Sequence, residues 1–392
     1  MMKLKIMGEV AMKYKKIIIR CIAGLIIVAI VFFNEKELIN SYFSKVKLQY
    51  ISKSMEENYL YDIDAKLNSD NICKGYLEAL DNRDTYYLNS DELKVAKIYA
   101  KGNGFGTGLD LMWSIKENYL IVVDVLKNSS AAREGIKVGD CITAINGVKT
   151  IAANSDQLAT QMNQVTSSQM VCEVRRKDSV RKVTLQFEEI NIEPFTYKVI
   201  GETLYIKFHT IKKGTSEALN CVIQERMASP TNGIILDLRN LDTNQMEEIR
   251  KISDLFLEEG IAFKVQTKSD GVITYTTHEG AYDVPLIVIT NKTTKRGAEA
   301  LVLALEEKAD IIGSDTSGDA YTQKIITLED GSGMSVANGY IVDRYGKVLS
   351  KEGIAPDERL YITEKEHVSL FEKGYIPEED DSYLQKALSK LA

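Results

Sequence analysis

Histidine and cysteine are scarce in this chain, and neither is grouped. The three histidines, His209, His278 and His367, are scattered and form no ligand cluster, so neither a metal nor a cofactor is expected. The five cysteines, Cys21, Cys73, Cys141, Cys172 and Cys221, show no paired spacing, and Cys141 and Cys172 fall in apolar, strand-like runs. They read as small buried hydrophobes rather than disulfides, metal ligands or a thiol nucleophile. Positive charge is in deficit: the net charge of −7 argues against a nucleic-acid surface.

What is present suits a protein of two or three domains, since 392 residues at 44% hydrophobic content are ample for sizeable cores. A basic start carrying Lys3, Lys5, Lys13, Lys15 and Lys16 precedes Ile17–Phe33, which is apolar apart from Arg20. The lysines place the amino end in the cytoplasm, and Arg20 can snorkel toward the headgroups. No small-residue cleavage pattern follows, which favours an uncleaved signal anchor with the body outside; a cleaved signal peptide is the alternative. Both readings make the body extracytoplasmic.

The chain is organised around Pro285–Gln323. Leu286–Ile289 is a continuous apolar, β-branched run, as a parallel strand covered on both faces should be, and helical spacing begins at Gly297. A second strand is expected at Ile311–Gly313. In such α/β sheets ligands and chemistry sit in the loops beyond the carboxyl ends of the strands, here Asn291–Arg296 and Ser314–Gln323.

Those loops resemble the active site of the carboxyl-terminal processing (tail-specific) serine peptidases, the S41 type. The family's first loop reads approximately N-x-G-S-A-S-A-S-E, and its second reads T-F-G-K-G-x-x-Q. Asn291, Glu299, Thr316, Gly318 and Gln323 keep the family letters. The resemblance then puts Arg296 at the position of the nucleophilic serine and Asp319 at that of the lysine base. Arginine stays protonated and offers no nucleophile, and Asp319 has no serine beside it to serve as base. Because a nucleophile and its base must touch, Arg296 and Asp319 are expected to be neighbours joined by a salt bridge.

The likeness extends over most of the chain. Met55–Tyr59, Gly75–Asp81 and Thr85–Leu88 resemble the family's amino-terminal helical segment, with Asp84 where its pattern has serine. Residues 99–190 resemble a PDZ domain. Gly104-Phe105-Gly106-Thr107-Gly108-Leu109 is similar to its glycine-rich carboxylate-binding loop, and Ser129–Asp140 to the passage that follows. Gln157–Gln164 would be the helix flanking the groove, where a peptide can add as a strand. Strand Thr203–His209, helix Thr215–Met227 and the run Gly233–Asn240 resume the core. The family continues N-P-G-G and uses that backbone in its oxyanion hole; here Asn240, Leu241, Asp242 and Thr243 follow, and Asp242 puts a carboxylate where negative charge should develop. Leu328–Gly331, Gly339–Gly346 and Gly353–Asp357 fit later motifs, and Tyr383–Leu391 reads as a short amphipathic helix.

The resemblance implies a tail-specific-protease fold: a crotonase-like or ClpP-like α/β core with an inserted PDZ domain and an amino-terminal transmembrane helix. The expected domains are a tail and anchor (1–34), a helical segment (35–98), a PDZ domain (99–190), the core (191–362) and a helical tail (363–392). The expected function is a membrane-anchored pseudopeptidase that binds extended or carboxyl-terminal peptide without cutting it. It could act alone, as a homo-oligomer, or with an active peptidase. Two alternatives stand beside it. One is an active peptidase with Thr293, Thr294, Ser314 or Ser317 attacking and Lys292, Lys295 or Lys324 as base. The other is a structural envelope scaffold.

Overall fold

The structure is a computed structural model that describes residues 46–114, 119–151, 154–162, 169–349, 351–373 and 375–392. The chain divides into two compact units, residues 1–71 and 72–392. In the first, residues 46–58 form helix α1. The expected anchor, Ile17–Phe33, lies outside the described residues. Among the described residues no helix is long and apolar enough to cross a membrane.

Helix α2 (Ala65–Glu78) is followed by strand β1 (Tyr86–Leu88) and helix α3 (Ser90–Ala100). Helical periodicity was expected to run through this segment, but Tyr86–Leu88 pairs with a strand far along the chain. Asn89 then starts α3 with a capping box, its side chain accepting from Asp91 N and Glu92 N while Glu92 reaches back to Asn89 N.

A six-stranded antiparallel sheet comes next: β2 (Gly104–Gly106) leads into β3 (Leu109–Ser114), β4 (Tyr119–Val125), α4 (Ser130–Arg133), β5 (Cys141–Ile145), β6 (Val148–Lys149), α5 (Ser155–Met162), β7 (Gln169–Arg176) and β8 (Ser179–Gln186). The order is β3-β4-β5-β7-β8, with β6 on β5. Val122, Ile142, Ile145, Cys172 and Leu185 are fully buried, so this body has its own core. Cys172 is the small buried hydrophobe expected, and burial pushes its thiol up to about 12. A short pair, β2 with β9 (Glu188–Ile190), ties the entry and exit of the body together.

The remaining chain builds two sheets around one core. Its elements are β10 (Phe195–Ile200), β11 (Thr203–Phe208), α6 (Thr215–Met227), β12 (Gly233–Asp237), β13 (Asp242–Thr243), α7 (Met246–Asp254), β14 (Gly260–Thr267), β15 (Val272–Thr277), β16 (Leu286–Thr290), β17 (Lys295–Arg296), α8 (Gly297–Leu305) and β18 (Asp310–Gly313). After these come β19 (Tyr321–Thr327), β20 (Gly333–Val342), β21 (Glu358–Arg359), α9 (Glu364–Lys373) and α10 (Ser382–Leu391). One sheet runs β10-β11-β12-β16-β18-β21, with β11 through β21 parallel; the other runs β1-β20-β14-β15, with β19 also on β20.

Every residue of β12 and β16 is buried, because both faces of the parallel sheet are covered. Ile234, Leu236, Leu286 and Val288 face α6, α7 and α8, whereas Ile235, Ile287 and Ile289 face α10. Helix α8 is apolar apart from Glu299 and wholly buried, since Phe263, Val265 and Ile341 of the second sheet share its core with the parallel sheet.

Candidate functional site

The loops after β12, β16 and β18 leave the same edge of the parallel sheet, as the parallel registers require. They are knitted together by polar side chains. Asn291 Nδ2 donates to Asn240 Oδ1 (2.9 Å), and Asn240 N donates to Asn291 Oδ1 (3.1 Å). Asn240 takes a left-handed φ of 64°, which asparagine tolerates better than most residues. Below the loops, Asp237 is wholly buried and accepts from Tyr205 Oη (2.7 Å) and from Arg239, which also holds Asp381 at 2.7 Å. Burial acts against the Asp237 charge, but Arg239 outweighs it and holds the carboxyl below its usual range.

Arg296 sits at the turn from β17 into α8 with φ 56° and ψ −121°, a strained conformation for a residue with a side chain. Lys295–Arg296 pairs in parallel with Asp242–Thr243, and a Cβ on Gly297 would meet Thr243 O at 2.9 Å, so a glycine is needed where the two loops touch. Beneath the turn, the buried carboxylate of Glu299 accepts from Thr316 Oγ1 (2.6 Å), Gly318 N (2.7 Å) and Arg296 N (3.2 Å). Burial pushes its pKa up against those three donors. Glu299 thus fastens the first loop to the second.

The expected Arg296–Asp319 salt bridge is not formed. Arg296 Nη2 donates to Asp84 Oδ1 (2.6 Å), and Nη1 donates to both oxygens of Asp242 (2.7 and 2.9 Å). Asp319 is exposed and accepts from Ser317 Oγ at 3.0 Å. The reason is local: a hydroxyl two residues away captures the Asp319 carboxylate, while two other carboxylates stand closer to the guanidinium. Burial of Arg296 opposes its charge, yet Asp242 and Asp84 leave its pKa raised.

Asp84, Asp242 and Arg296 are three departures from the resembled motifs, and the fold brings them into one cluster. Lys295 Nζ joins it at 3.3 Å from Asp242, and Gln323 Nε2 donates to Asp84 Oδ1 at 3.0 Å. Sequence reasoning noted each departure separately and missed that they pair. The signal available was charge: one cation and two anions stand where the resembled motifs have uncharged letters.

Asp242, Arg296 and Gln323 of the cluster line a cleft of about 760 Å³. Leu88, Val95, Ile192, Ile211 and Ile325 supply apolar wall, and Asn240, Asp242, Gln245, Arg296 and Gln323 supply polar wall. Of the oxyanion-loop residues, Leu241 instead enters the core and Thr243 is buried.

The hydroxyls considered as relocated nucleophiles are engaged elsewhere. Thr294 Oγ1 is buried and donates to Leu238 O (2.9 Å); Thr293 Oγ1 donates to Asn240 Oδ1 (2.5 Å). Lys292 Nζ donates to the carbonyls of Thr316 and Glu352, each at 3.2 Å, and Lys324 is exposed on β19. Ser314 is half-buried. Among the described residues none of these hydroxyls is hydrogen-bonded to a lysine amine. No group of three or more His, Cys, Asp or Glu is placed to hold a metal among them either.

The expected carboxylate-binding loop, Gly104–Leu109, is shorter than its sequence suggests. Gly104, Phe105 and Gly106 form β2, and Leu109 already begins β3, so Thr107 and Gly108 alone remain as a turn. A Cβ on Gly108, whose φ is 82°, would fall 2.1 Å from Ser129. β3 is an edge strand of its sheet, with β8 at the opposite edge. The flanking helix is α5; Asn163 and Gln164, expected within it, lie outside the described residues.

Fold and site together define an α/β core of the peptidase type that carries a PDZ body. Residues 202–360 match the family model described as peptidase family S41, and residues 95–174 match that of the PDZ domain. The core, residues 202–360, is thus of the peptidase family S41 type. The chain is similar to a probable CtpA-like serine protease of Staphylococcus aureus (strain MRSA252), 24% identical over 321 residues that cover 79% of this chain and 64% of that relative. The chain therefore spans under two thirds of that relative's length. A probable CtpA-like serine protease of Staphylococcus haemolyticus (strain JCSC1435) is 20% identical over 347 residues, 86% of this chain and 70% of the relative.

Two solved structures share the fold. The photosystem II D1 C-terminal processing protease matches with a TM-score of 0.52 at 20% identity, over 81% of this chain and 86% of its own. A putative S41 protease from Bacteroides fragilis NCTC 9343 matches with a TM-score of 0.58 at 13% identity, over 85% and 91%.

Proposed function

We propose that this chain, whose core is of the S41 type, is a catalytically inactive peptide-binding protein, anchored in the membrane with its body outside the cytoplasm. The observation that carries the reading is the Arg296 guanidinium tied to Asp84 and Asp242, at the residue where the family resemblance expects the nucleophile. A permanently protonated side chain at the point of attack leaves no oxygen or sulfur to acylate. The edge strand β3 beside α5, and the cleft that Arg296 lines, are the two places for extended peptide. The anchor is the apolar run Ile17–Phe33, and the basic residues before it set the orientation.

The test is cleavage by the full chain of unfolded protein and of peptides with free carboxyl ends, read by mass. No products, with retained binding of free-carboxyl peptides, is the expected result. Products abolished by changing Thr294 or Lys292 would instead establish a relocated active site.

A further inference from the structure

We propose that Arg296 is an anchor for a peptide carboxylate, and that Asp242 occupies its place in the free protein. The inference rests on the peptide-binding reading and says which peptide the cleft takes: one presenting an acidic group between apolar residues.

The two partners of Arg296 are not equivalent. Asp84 is 14% exposed and receives Nη2, whereas Asp242 is 37% exposed, lines the cleft, and receives Nη1 through both oxygens. Asp242 also has a second cation, Lys295 at 3.3 Å, so it can leave Arg296 without becoming an unpaired charge. Arg296 cannot be left alone so cheaply, being 19% exposed and part of the cleft wall. Its Nε–H is buried and finds no acceptor among the described residues, so the guanidinium has donor capacity that Asp84 and Asp242 do not use. An arriving carboxylate would take the place of Asp242 at Nη1, where both Asp242 oxygens now accept. Beside the cluster, Leu88, Val95, Ile211 and Ile325 receive apolar neighbours of the acidic group.

Asp242 competes as a tethered ligand, and a tethered group acts at an effective concentration of order millimolar. The free protein should therefore discriminate weakly between acidic and neutral peptides. Removing the tethered carboxylate should reveal the anchor.

The probes are two N-acetylated, C-amidated octapeptides that differ only in carrying Glu or Gln at the centre of an apolar sequence. Amidation removes the terminal carboxylate that a PDZ groove takes. Binding to the full chain is read by fluorescence anisotropy. Asp242→Asn should tighten the Glu peptide by about tenfold and leave the Gln twin unchanged. The gain should vanish in Asp242→Asn/Arg296→Gln. A gain that survives in that double variant would assign the effect to Lys295 or to the general field and overturn the proposal, as would equal changes in both twins. If free-carboxyl peptides bind but Asp242→Asn shows no preference for Glu, the anchor is refuted and the peptide-binding reading stands. If no peptide of either kind binds, both fall.

Discussion

The guanidinium of Arg296 stands 2.6 Å from the carboxylate of Asp84, a residue 212 positions earlier in the chain. Asp242, 54 positions earlier, holds the other side of the same guanidinium. The contact joins the segment before β1 to the turn where the family's chemistry is centred. It makes the turn from β17 into α8 a structural joint.

Placing serine and lysine at the two expected reacting positions should not by itself produce cleavage. Arg296→Ser/Asp319→Lys leaves Asp84 and Asp242 without their shared cation, and Asp242 still beside the position of a developing oxyanion. The expected outcome is no product by mass spectrometry from a carboxyl-terminal peptide library. Any activity should require Asp84→Ser and Asp242→Gly in addition.

The joint should also be measurable as stability. Arg296→Met strands the part-buried carboxylate of Asp84 and takes from the exposed Asp242 one of its two cations, and it should cost about 2 kcal/mol, below the ~3–5 kcal/mol for breaking a fully buried pair, because the cluster is partly solvated. Arg296→Met/Asp84→Asn/Asp242→Asn should regain most of the loss. Thermal melts of the single and triple variants test it, and equal melting points for the two would refute it.

Asp237 should give a pH signature. Its folded pKa is depressed, so its pairing with Arg239 contributes stability above the unfolded value of about 3.9, and that contribution is lost as pH falls through the folded value. Asp237→Asn should be about 3 kcal/mol less stable than the parent at neutral pH. The gap should narrow only below the ordinary aspartate range. Denaturant midpoints taken across that range would show it.

Gly108→Ala should weaken binding of free-carboxyl peptides, because its Cβ would collide with Ser129 and its φ of 82° is left-handed. The left-handed conformation alone costs an alanine roughly 1 kcal/mol. Ser129→Gly added to it should recover part of the binding by removing the collision. Isothermal titration of both variants distinguishes the two contributions.

The parallel half of the core was legible in sequence because its signals are local. Fully apolar runs gave β12 and β16, and helix α6 ends where its periodicity ends, at Met227. The antiparallel sheet was not legible, since β1 pairs with β20 across some 250 residues and its three residues carry no period of their own. At the site, the motif letters identified Arg296, Asp319, Asn240 and Asp242 as positions of interest. What they could not convey was side-chain direction: Asp319 turns to Ser317, while Arg296 reaches toward the segment before β1.

The last helix has a consequence for synthesis. α10 covers Ile235, Ile287 and Ile289, and its N-cap Asp381 completes the pairing of Arg239. A ribosome delivers it only after every strand of that sheet has been made. Until it arrives, one face of the sheet is a sticky isoleucine surface over an arginine that lacks one of its two carboxylates. The nascent core therefore needs shelter until α10 emerges, whereas the PDZ body, with a core of its own, can close long before.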